Sequence, residues 1–169
     1  MSDLTFRPAT QDDAPELLSI YNPYVETSTV TFDLEPWAVG DMKHKIDAIA
    51  RLGMPFIVAE LDGDVVGYAY LSTWRDKCAY ETTMENTIYL RDDSRGMGIG
   101  GVLLEELCRL GAERGVREVI AVTGDTADAA PSVRIHERHG FERVGAMANV
   151  GFKFDRWIGV IMLQRTLTA

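Results

Sequence analysis

The sequence predicts one α/β domain in which helices flank a mixed central β-sheet. Short runs rich in β-branched and aromatic residues alternate with stretches whose apolar residues recur at helical spacing. One helical stretch separates two strand-like runs, which is typical of a parallel pair with a right-handed crossover, whereas Asp62-Gly63 joins two other runs in an antiparallel hairpin. The chain has 169 residues, which suits a single domain spanning 1–169.

Seven strands and four helices are expected, in the order strand, helix, helix, three strands, helix, strand, helix and two strands. The strands are predicted at 4–7, 56–60, 65–71, 82–90, 119–122, 141–144 and 154–167. The helices are predicted after Thr10 with a stop at Pro23, over 41–52, from a glycine-rich turn to Gly115, and over 131–139. Pro23 is expected to end the first helix, because a proline disfavours a helical residue before it. Residues 24–35, which are rich in threonine, are expected to form an irregular loop.

The amino-acid composition excludes some classes of binding partner and favours one cellular compartment. The net charge of −9 argues against a general nucleic-acid surface and against docking on anionic membranes. Cys78 and Cys108 are too few for a disulfide framework, which favours a reduced, cytoplasmic protein. No apolar run is long enough to span a membrane, and the first residues lack the features of a signal peptide. His44 and His139 have no neighbouring cysteine or paired histidine, so no metal site is expected.

A glycine-rich turn follows the fourth predicted strand and precedes the third helix. It reads Arg95-Gly96-Met97-Gly98-Ile99-Gly100-Gly101. Glycines let backbone N–H groups approach an anion closely, and the helix N-terminus adds a partial positive charge. The turn therefore predicts a phosphate-binding site, with Glu85 a short way upstream; a tight helix entry without a ligand is the alternative.

These residues resemble the GCN5-related N-acetyltransferases and, within them, the phosphinothricin and methionine sulfoximine acetyltransferase subgroup. The resemblance covers nearly the whole chain, through Tyr21-Asn22, Tyr24–Phe32, Tyr80-Glu81 with Glu85, the turn at Arg95–Gly100, Pro131–Glu137 and Gly151–Trp157. It implies the acyl-CoA N-acyltransferase fold of this family, acetyl-CoA as co-substrate, a small amino-acid-like amine as acceptor, and a homodimer.

The resemblance also implies which residues bind the cofactor. Backbone groups of the fourth strand would bind the pantetheine arm where that strand splays from the fifth, and amides of the turn would hold the pyrophosphate. The implied set is Ile88, Tyr89, Leu90, Arg95, Gly96, Met97, Gly98, Ile99, Gly100, Gly101 and Ser132. Relatives often carry a cofactor-contacting asparagine where this chain has Ala129, and the loss of that hydrogen bond should weaken binding by roughly 1 kcal/mol.

Two residues are predicted to be catalytic. An amine is mostly protonated at neutral pH, so acetyl transfer needs a base. Glu85 suits this role, directly or through water, because burial beside the cleft would raise its pKa; Glu81 is a rival. His136 lies where many relatives carry a tyrosine that acts as general acid, and a histidine can hold a transferable proton near pH 7. The plain alternatives are a solvent-facing Glu85 and a surface His136.

An amino-acid acceptor would bring a carboxylate to the site. Arg75 and Lys77 are expected to meet that charge, with the arginine as the better fork, although a solvated loop is the alternative. The predicted substrate set, which includes pocket walls and polar contacts, is Phe32, Trp74, Arg75, Asp76, Lys77, Glu85, Asn86 and Thr87. Trp157 is expected to pack internally or at a dimer interface.

Two other functions stay open. The acceptor of a related enzyme could be a polyamine, which the acidic net charge favours, or a protein N-terminus. Alternatively the chain could be a non-catalytic acetyl-CoA-binding module, which would bind acetyl-CoA without releasing a thiol.

Overall fold

The computed structural model describes residues 3–167. The strands are β1 Leu4–Pro8, β2 Phe56–Leu61, β3 Asp64–Thr73, β4 Thr83–Leu90, β5 Glu118–Gly124, β6 Glu142–Lys153 and β7 Arg156–Thr166. The helices are α1 Ala14–Thr27, α2 Val39–Leu52, α3 Ile99–Glu113 and α4 Ala130–Arg138. The strands form one sheet in the order β1-β2-β3-β4-β5-β7-β6, with β4 and β5 parallel and the other neighbours antiparallel. The predicted α/β fold with a mixed sheet is confirmed.

Alternate residues of the central strands serve two cores. Along β2, Phe56 and Val58 face the core formed with α1 and α2, whereas Ile57 and Ala59 face the core formed with α3. This double burial explains why the central strands have nearly continuous apolar sequences. None of the helices within residues 3–167 is both long and apolar enough to cross a membrane.

Helix α1 continues past Pro23 to Thr27, so the prediction that Pro23 ends this helix is wrong. A proline removes one N–H donor from the helix interior. The turn after it is nevertheless anchored, because Val25 is buried and the Tyr24 hydroxyl donates a 2.5 Å hydrogen bond to the Leu90 carbonyl. Tertiary contacts therefore outweigh the local preference, and the irregular loop begins at Ser28.

Strand β6 is much longer than the four residues predicted for it. It pairs with β7 through a two-residue turn at Phe154 and Asp155, whose φ angles are 50° and 58°. Such left-handed pairs usually contain Asn or Gly, so the sequence carried no hairpin signal here. Most of β6 is also exposed, which removes the alternation that marks a half-buried strand.

Candidate active site

Strands β4 and β5 separate in the middle of the sheet. They pair only at Thr83–Glu118, Met84–Val119 and Glu85–Ile120. Beyond Glu85 a cavity of about 530 Å³ lies between the two strands, the glycine-rich turn and α4. We call it the gap cavity; residues that line it include Glu85, Asn86, Ile88, Leu90, Gly96, Gly98, Thr123, Ser132 and His136.

The β4 backbone beside the gap cavity has groups available to a ligand. The Arg91 N–H donates to the Val66 carbonyl at 2.8 Å, and the β3–β4 register has no shift. Because alternate residues of a paired strand point to opposite edges, the backbone groups of Ile88 and Leu90 point toward the gap, and those of Tyr89 point toward β3. Tyr89 also lines the cavity, and its ring packs against those of Tyr21 and Tyr24.

The glycine-rich turn adopts a backbone that only glycine tolerates well. Gly96 has φ 78° and Gly98 has φ 82°, both in the left-handed region. A Cβ on Gly101 would lie 2.4 Å from His139 Nε2, so this glycine allows α3 to approach α4. Gly98 immediately precedes α3, whose first amides remain open at the cavity, and this geometry suits a phosphate group.

Most predicted cofactor residues line the gap cavity, namely Ile88, Tyr89, Leu90, Arg95, Gly96, Gly98, Gly100, Gly101 and Ser132. The side chains of Met97 and Ile99 do not. Met97 is 56% exposed, and Ile99 is buried in the core with α3. These two residues are limited to contributing their backbone groups.

Two buried polar atoms in the gap cavity lack partners. Among the described residues, Asn86 Oδ1 and Thr123 Oγ1 form no hydrogen bond although both are buried. Buried polar atoms are normally paired, so these two point to a ligand with its own polar groups. Acetyl-CoA fits on this ground, since its arm carries amides for the splayed strand and its diphosphate suits the turn. Ala129 is also buried against the cavity and offers no polar side chain.

Glu85 stands where β4 and β5 part. It is the last residue of β4 that pairs with β5, and its side chain lines the gap cavity. Burial raises the pKa of the Glu85 carboxyl, and the nearby Lys45 ammonium partly opposes this by favouring the charged form. A raised pKa makes the carboxylate a better proton acceptor near neutral pH. The rival Glu81 is exposed and lines no cavity that we found in residues 3–167.

His136 is 2% exposed and therefore is not the surface residue of the plain alternative. Its Nδ1 lies 2.8 Å from the Ser132 carbonyl oxygen, which only accepts, so Nδ1 carries the ring proton. Nε2 then accepts a 2.8 Å hydrogen bond from the Asn86 amide. Burial also lowers the pKa of the ring. A neutral His136 has no proton to give at Nε2, so this arrangement argues against the expected acid near pH 7.

A second cavity, of about 200 Å³, adjoins the gap cavity. Thr31, Phe32, Thr87 and Tyr89 line both. The remaining walls are mainly aromatic, with two charged residues, and comprise Tyr21, Asp33, Trp37, Met42, Lys45, Tyr68 and Tyr70. We call it the aromatic cavity.

Sequence reasoning missed the charged residues of the aromatic cavity. Asp33 lies in a segment without periodicity, so no pattern places it. Lys45 follows Met42 by three residues on α2 and therefore borders the buried stripe of that helix. That spacing indicates that Lys45 lies beside the buried face of α2, but it does not indicate which element this face packs against.

The predicted basic clamp lies away from both cavities. Trp74, Arg75, Asp76 and Lys77 line neither of them. The Arg75 guanidinium instead packs 5.3 Å from the centre of the Trp74 ring. Phe32, Asn86 and Thr87, by contrast, do line the site. Contact of Arg75 and Lys77 with an acceptor stays a prediction, and a single copy of the chain gives it no support.

No group of three or more metal-ligating side chains is found within residues 3–167. His44 is exposed on α2. His139 is half-buried, and its Nδ1 lies 2.9 Å from a carboxylate oxygen of Glu105.

A splayed parallel pair, a turn suited to an anion and a half-buried carboxylate where the strands part are the features of an acyltransferase site for a nucleotide-linked acyl donor. Residues 15–141 match the Acetyltransferase (GNAT) family. The chain belongs to this family, which confirms the resemblance drawn from the glycine-rich turn and the other segments.

Individual relatives are similar along almost the whole chain. A phosphinothricin N-acetyltransferase of Alcaligenes faecalis is 36% identical, over 98% of this chain and 83% of its own. An L-methionine sulfoximine/L-methionine sulfone acetyltransferase of Pseudomonas paraeruginosa is 36% identical, over 96% of this chain and 94% of its own. Among solved structures, a GNAT superfamily phosphinothricin acetyltransferase from Sinorhizobium meliloti, in complex with AcCoA, has a TM-score of 0.91 and 35% identity, over 97% of this chain and 88% of its own.

Proposed function

We propose that this enzyme transfers the acetyl group of acetyl-CoA to the α-amine of a small amino-acid-like acceptor, such as L-phosphinothricin or L-methionine sulfoximine. The observation that carries the proposal is the half-buried Glu85, which lines the gap cavity at the point where β4 and β5 part and lies on the same face of β4 as Thr87 and Tyr89 of the aromatic cavity. The relatives named for these acceptors support it, because they match the chain over 96% or more of its length.

Each part of the gap cavity has one task in this reaction. Acetyl-CoA supplies the acetyl group as a thioester. The turn amides from Gly96 to Gly101 hold its diphosphate at the start of α3, and the Ile88 backbone binds its amide-bearing arm. Glu85 takes the proton that the attacking amine loses, directly or through one water. Open backbone N–H groups of β4 stabilise the negative charge that develops on the thioester oxygen. The C–S bond then breaks, and CoA leaves as a thiolate that takes up a proton from water.

Direct attack by the amine fits the residues around the cavity. Neither cysteine lines a cavity; Cys78 is exposed, and Cys108 is buried in the α3 core. Ser132 does line the gap cavity, but the neighbouring His136 Nδ1 carries a proton and donates it to a carbonyl. That nitrogen therefore cannot take the serine proton, and Ser132 lacks the base that a nucleophile needs.

In this mechanism His136 acts by positioning Asn86. The buried ring accepts a hydrogen bond from the Asn86 amide and so fixes that side chain on the face of β4 opposite to Glu85. Asn86 Oδ1, which has no partner in the described residues, is then oriented to accept a hydrogen bond from the bound arm.

A homodimer formed through the β6–β7 hairpin is part of the proposal. The hairpin carries an exposed apolar group comprising Val144, Met147, Val150, Phe152, Phe154 and Trp157, and Trp157 is 65% exposed. Patches of this kind mark interaction sites. The hairpin also touches the acceptor side of the site, because the buried Lys153 donates a 2.9 Å hydrogen bond to the Thr31 carbonyl. Sedimentation tests this: Trp157→Lys should give a monomer, and an unchanged mass would refute the hairpin interface.

A cytoplasmic location completes the proposal. Its support is the free thiol of the exposed Cys78, which an oxidising compartment would expose to disulfide chemistry. Fractionation of cells that express the protein tests it, and recovery outside the cytoplasm would contradict it.

A panel of acceptors tests the proposed activity. Release of CoA is measured with L-phosphinothricin, L-methionine sulfone, the twenty common amino acids, spermidine and a short peptide with a free N-terminus. The proposal expects the highest kcat/KM with the first two compounds and acetylation at the α-amine. A higher kcat/KM with spermidine or the peptide would show that the acceptor is a polyamine or a protein N-terminus. Binding of acetyl-CoA without release of CoA in the presence of any amine would show that the chain is a non-catalytic module.

A further inference from the structure

Lys45 places an unpaired positive charge in the aromatic cavity. Its Nζ lies 5.8 Å from the centre of the Trp37 ring and 5.7 Å from that of the Tyr70 ring. Within residues 3–167 it forms no ion pair with a carboxylate. A partly buried ammonium group held only by ring faces still lacks an oxygen partner.

The cavity around Lys45 has the size and lining of a side-chain pocket. Its volume is 200 Å³, which is roughly the space of six water molecules and therefore of a side chain with a similar number of heavy atoms. Aromatic rings form most of its walls and suit methylene groups. Thr87 and Tyr89 lie on the same face of β4 as Glu85, so an amine held at Glu85 is close to the entrance.

Asp33 is the other charged residue of this cavity, and it is already engaged. The Tyr21 hydroxyl donates a 2.5 Å hydrogen bond to Asp33 Oδ2. Burial lowers the pKa of Lys153, and the nearby Asp33 charge partly opposes this, so the Asp33 carboxylate is partly balanced from outside the cavity. Among the described residues, Lys45 is thus the charged group of the cavity that can donate a hydrogen bond to an acceptor oxygen.

We propose that the aromatic cavity receives the acceptor's side chain and that Lys45 donates a hydrogen bond to an oxygen at the end of that side chain. The favoured acceptors are amino acids with a short aliphatic stem that ends in a sulfone, sulfoximine, phosphinate or carboxylate oxygen. The inference rests on the proposed function and adds the residue that selects among acceptors. An apolar side chain of equal length would fill the cavity and leave the ammonium group unpaired, which a site of this kind discriminates against.

The test compares two acceptors of matched length, L-methionine sulfone and L-norleucine. The quantity measured is the ratio of their kcat/KM values. Lys45→Met should lower this ratio about 10- to 100-fold, the effect of one hydrogen bond from a charged donor, and leave the KM for acetyl-CoA unchanged. Lys45→Arg should keep most of the ratio. The matched control is Lys43→Met on the same helix, which lines neither cavity and should leave the ratio at the wild-type value.

The outcomes separate the inference from the proposed function. An active Lys45→Met enzyme with the wild-type ratio overturns the inference alone. An equal fall in kcat/KM for both acceptors overturns the inference as well. It assigns Lys45 either to the stability of the fold or to the ionisation of Glu85, and thermal unfolding of the variant and the pH dependence of its kcat separate these two roles. If no amino acid in the panel causes the wild-type enzyme to release CoA, the proposed function itself is overturned, and the inference with it.

Discussion

The gap cavity and the aromatic cavity adjoin along β4, but they are built from different parts of the chain. The gap cavity offers mainly backbone: the open groups of Ile88, the Leu90 N–H and the amides around Gly98. The aromatic cavity offers side chains, namely rings and the charges of Asp33 and Lys45. A site that binds through backbone groups depends on the fold and on a few glycines. A site that binds through side chains changes its ligand preference when one of those side chains is substituted. The difference assigns cofactor binding to the first cavity and acceptor choice to the second.

Glu85 lines the gap cavity on the same face of β4 as Thr87 and Tyr89, which line both cavities, and its substitution should have the largest effect. Glu85→Gln removes the base and should lower kcat about 10²- to 10⁴-fold while the KM for acetyl-CoA stays unchanged. Because burial raises the Glu85 pKa, wild-type kcat should fall as the pH drops through that raised value, and this limb should be missing in the variant. The pH dependence of kcat is the measurement. Glu81→Gln is the exposed control, and a similar loss in that variant would contradict the assignment.

A change in the glycine-rich turn should affect the gap cavity alone. Gly98→Ala forces an alanine to φ 82°, which strains the turn and should raise the KM for acetyl-CoA roughly tenfold. Gly63→Ala is the matched control, since Gly63 has φ 92° in the β2–β3 turn, far from the cavities. Both variants should lose about 1 kcal/mol of unfolding free energy. Equal KM changes in the two would show that the turn has no special role.

Substitution of His136 distinguishes a residue that positions Asn86 from a general acid. His136→Gln should lower kcat about fivefold, the value of one net hydrogen bond, and leave the shape of the pH profile unchanged. A general acid would instead produce an alkaline limb in the wild type that disappears in the variant. Such a loss would refute the positioning role. His44→Gln, on the exposed face of α2, is the control and should behave like the wild type.

The smallest effect is expected outside both cavities. Asp13 accepts hydrogen bonds from Arg7 at 2.8 and 2.9 Å and from the Thr10 N–H at 2.6 Å. These contacts lower the Asp13 pKa, so their stabilisation is present at neutral pH and is lost as the pH falls through the lowered value. Asp13→Asn should cost about 1 kcal/mol in neutral urea unfolding and leave kcat unchanged. Asp12→Asn is the control, and an equal loss there would contradict the contact.

The sequence predicted the gap cavity better than the aromatic cavity for a physical reason. The turn at Arg95–Gly101 is a local segment, and its glycines indicate a tight turn with left-handed backbone angles without any knowledge of tertiary contacts. The aromatic cavity collects Asp33, Lys45 and Tyr70 from three separate segments, and packing alone brings them together. Pro23 failed as a helix stop for the same reason, because the contacts of Tyr24 and Val25 are tertiary.

The central claim is that Glu85 takes the amine proton close to the place where the two cavities share Thr87 and Tyr89, and a crystal structure of Glu85→Gln with acetyl-CoA and L-methionine sulfone tests it most directly. The variant should retain both compounds during a short soak before flash-cooling, because its turnover is expected to be about 10²- to 10⁴-fold slower than that of the wild type. We expect the diphosphate on the amides of Gly96–Gly101, the acceptor side chain in the aromatic cavity, and the acceptor amine about 2.6–3.2 Å from the residue 85 side chain or one water away. An acceptor bound elsewhere, or an amine that points away from residue 85, would contradict the account.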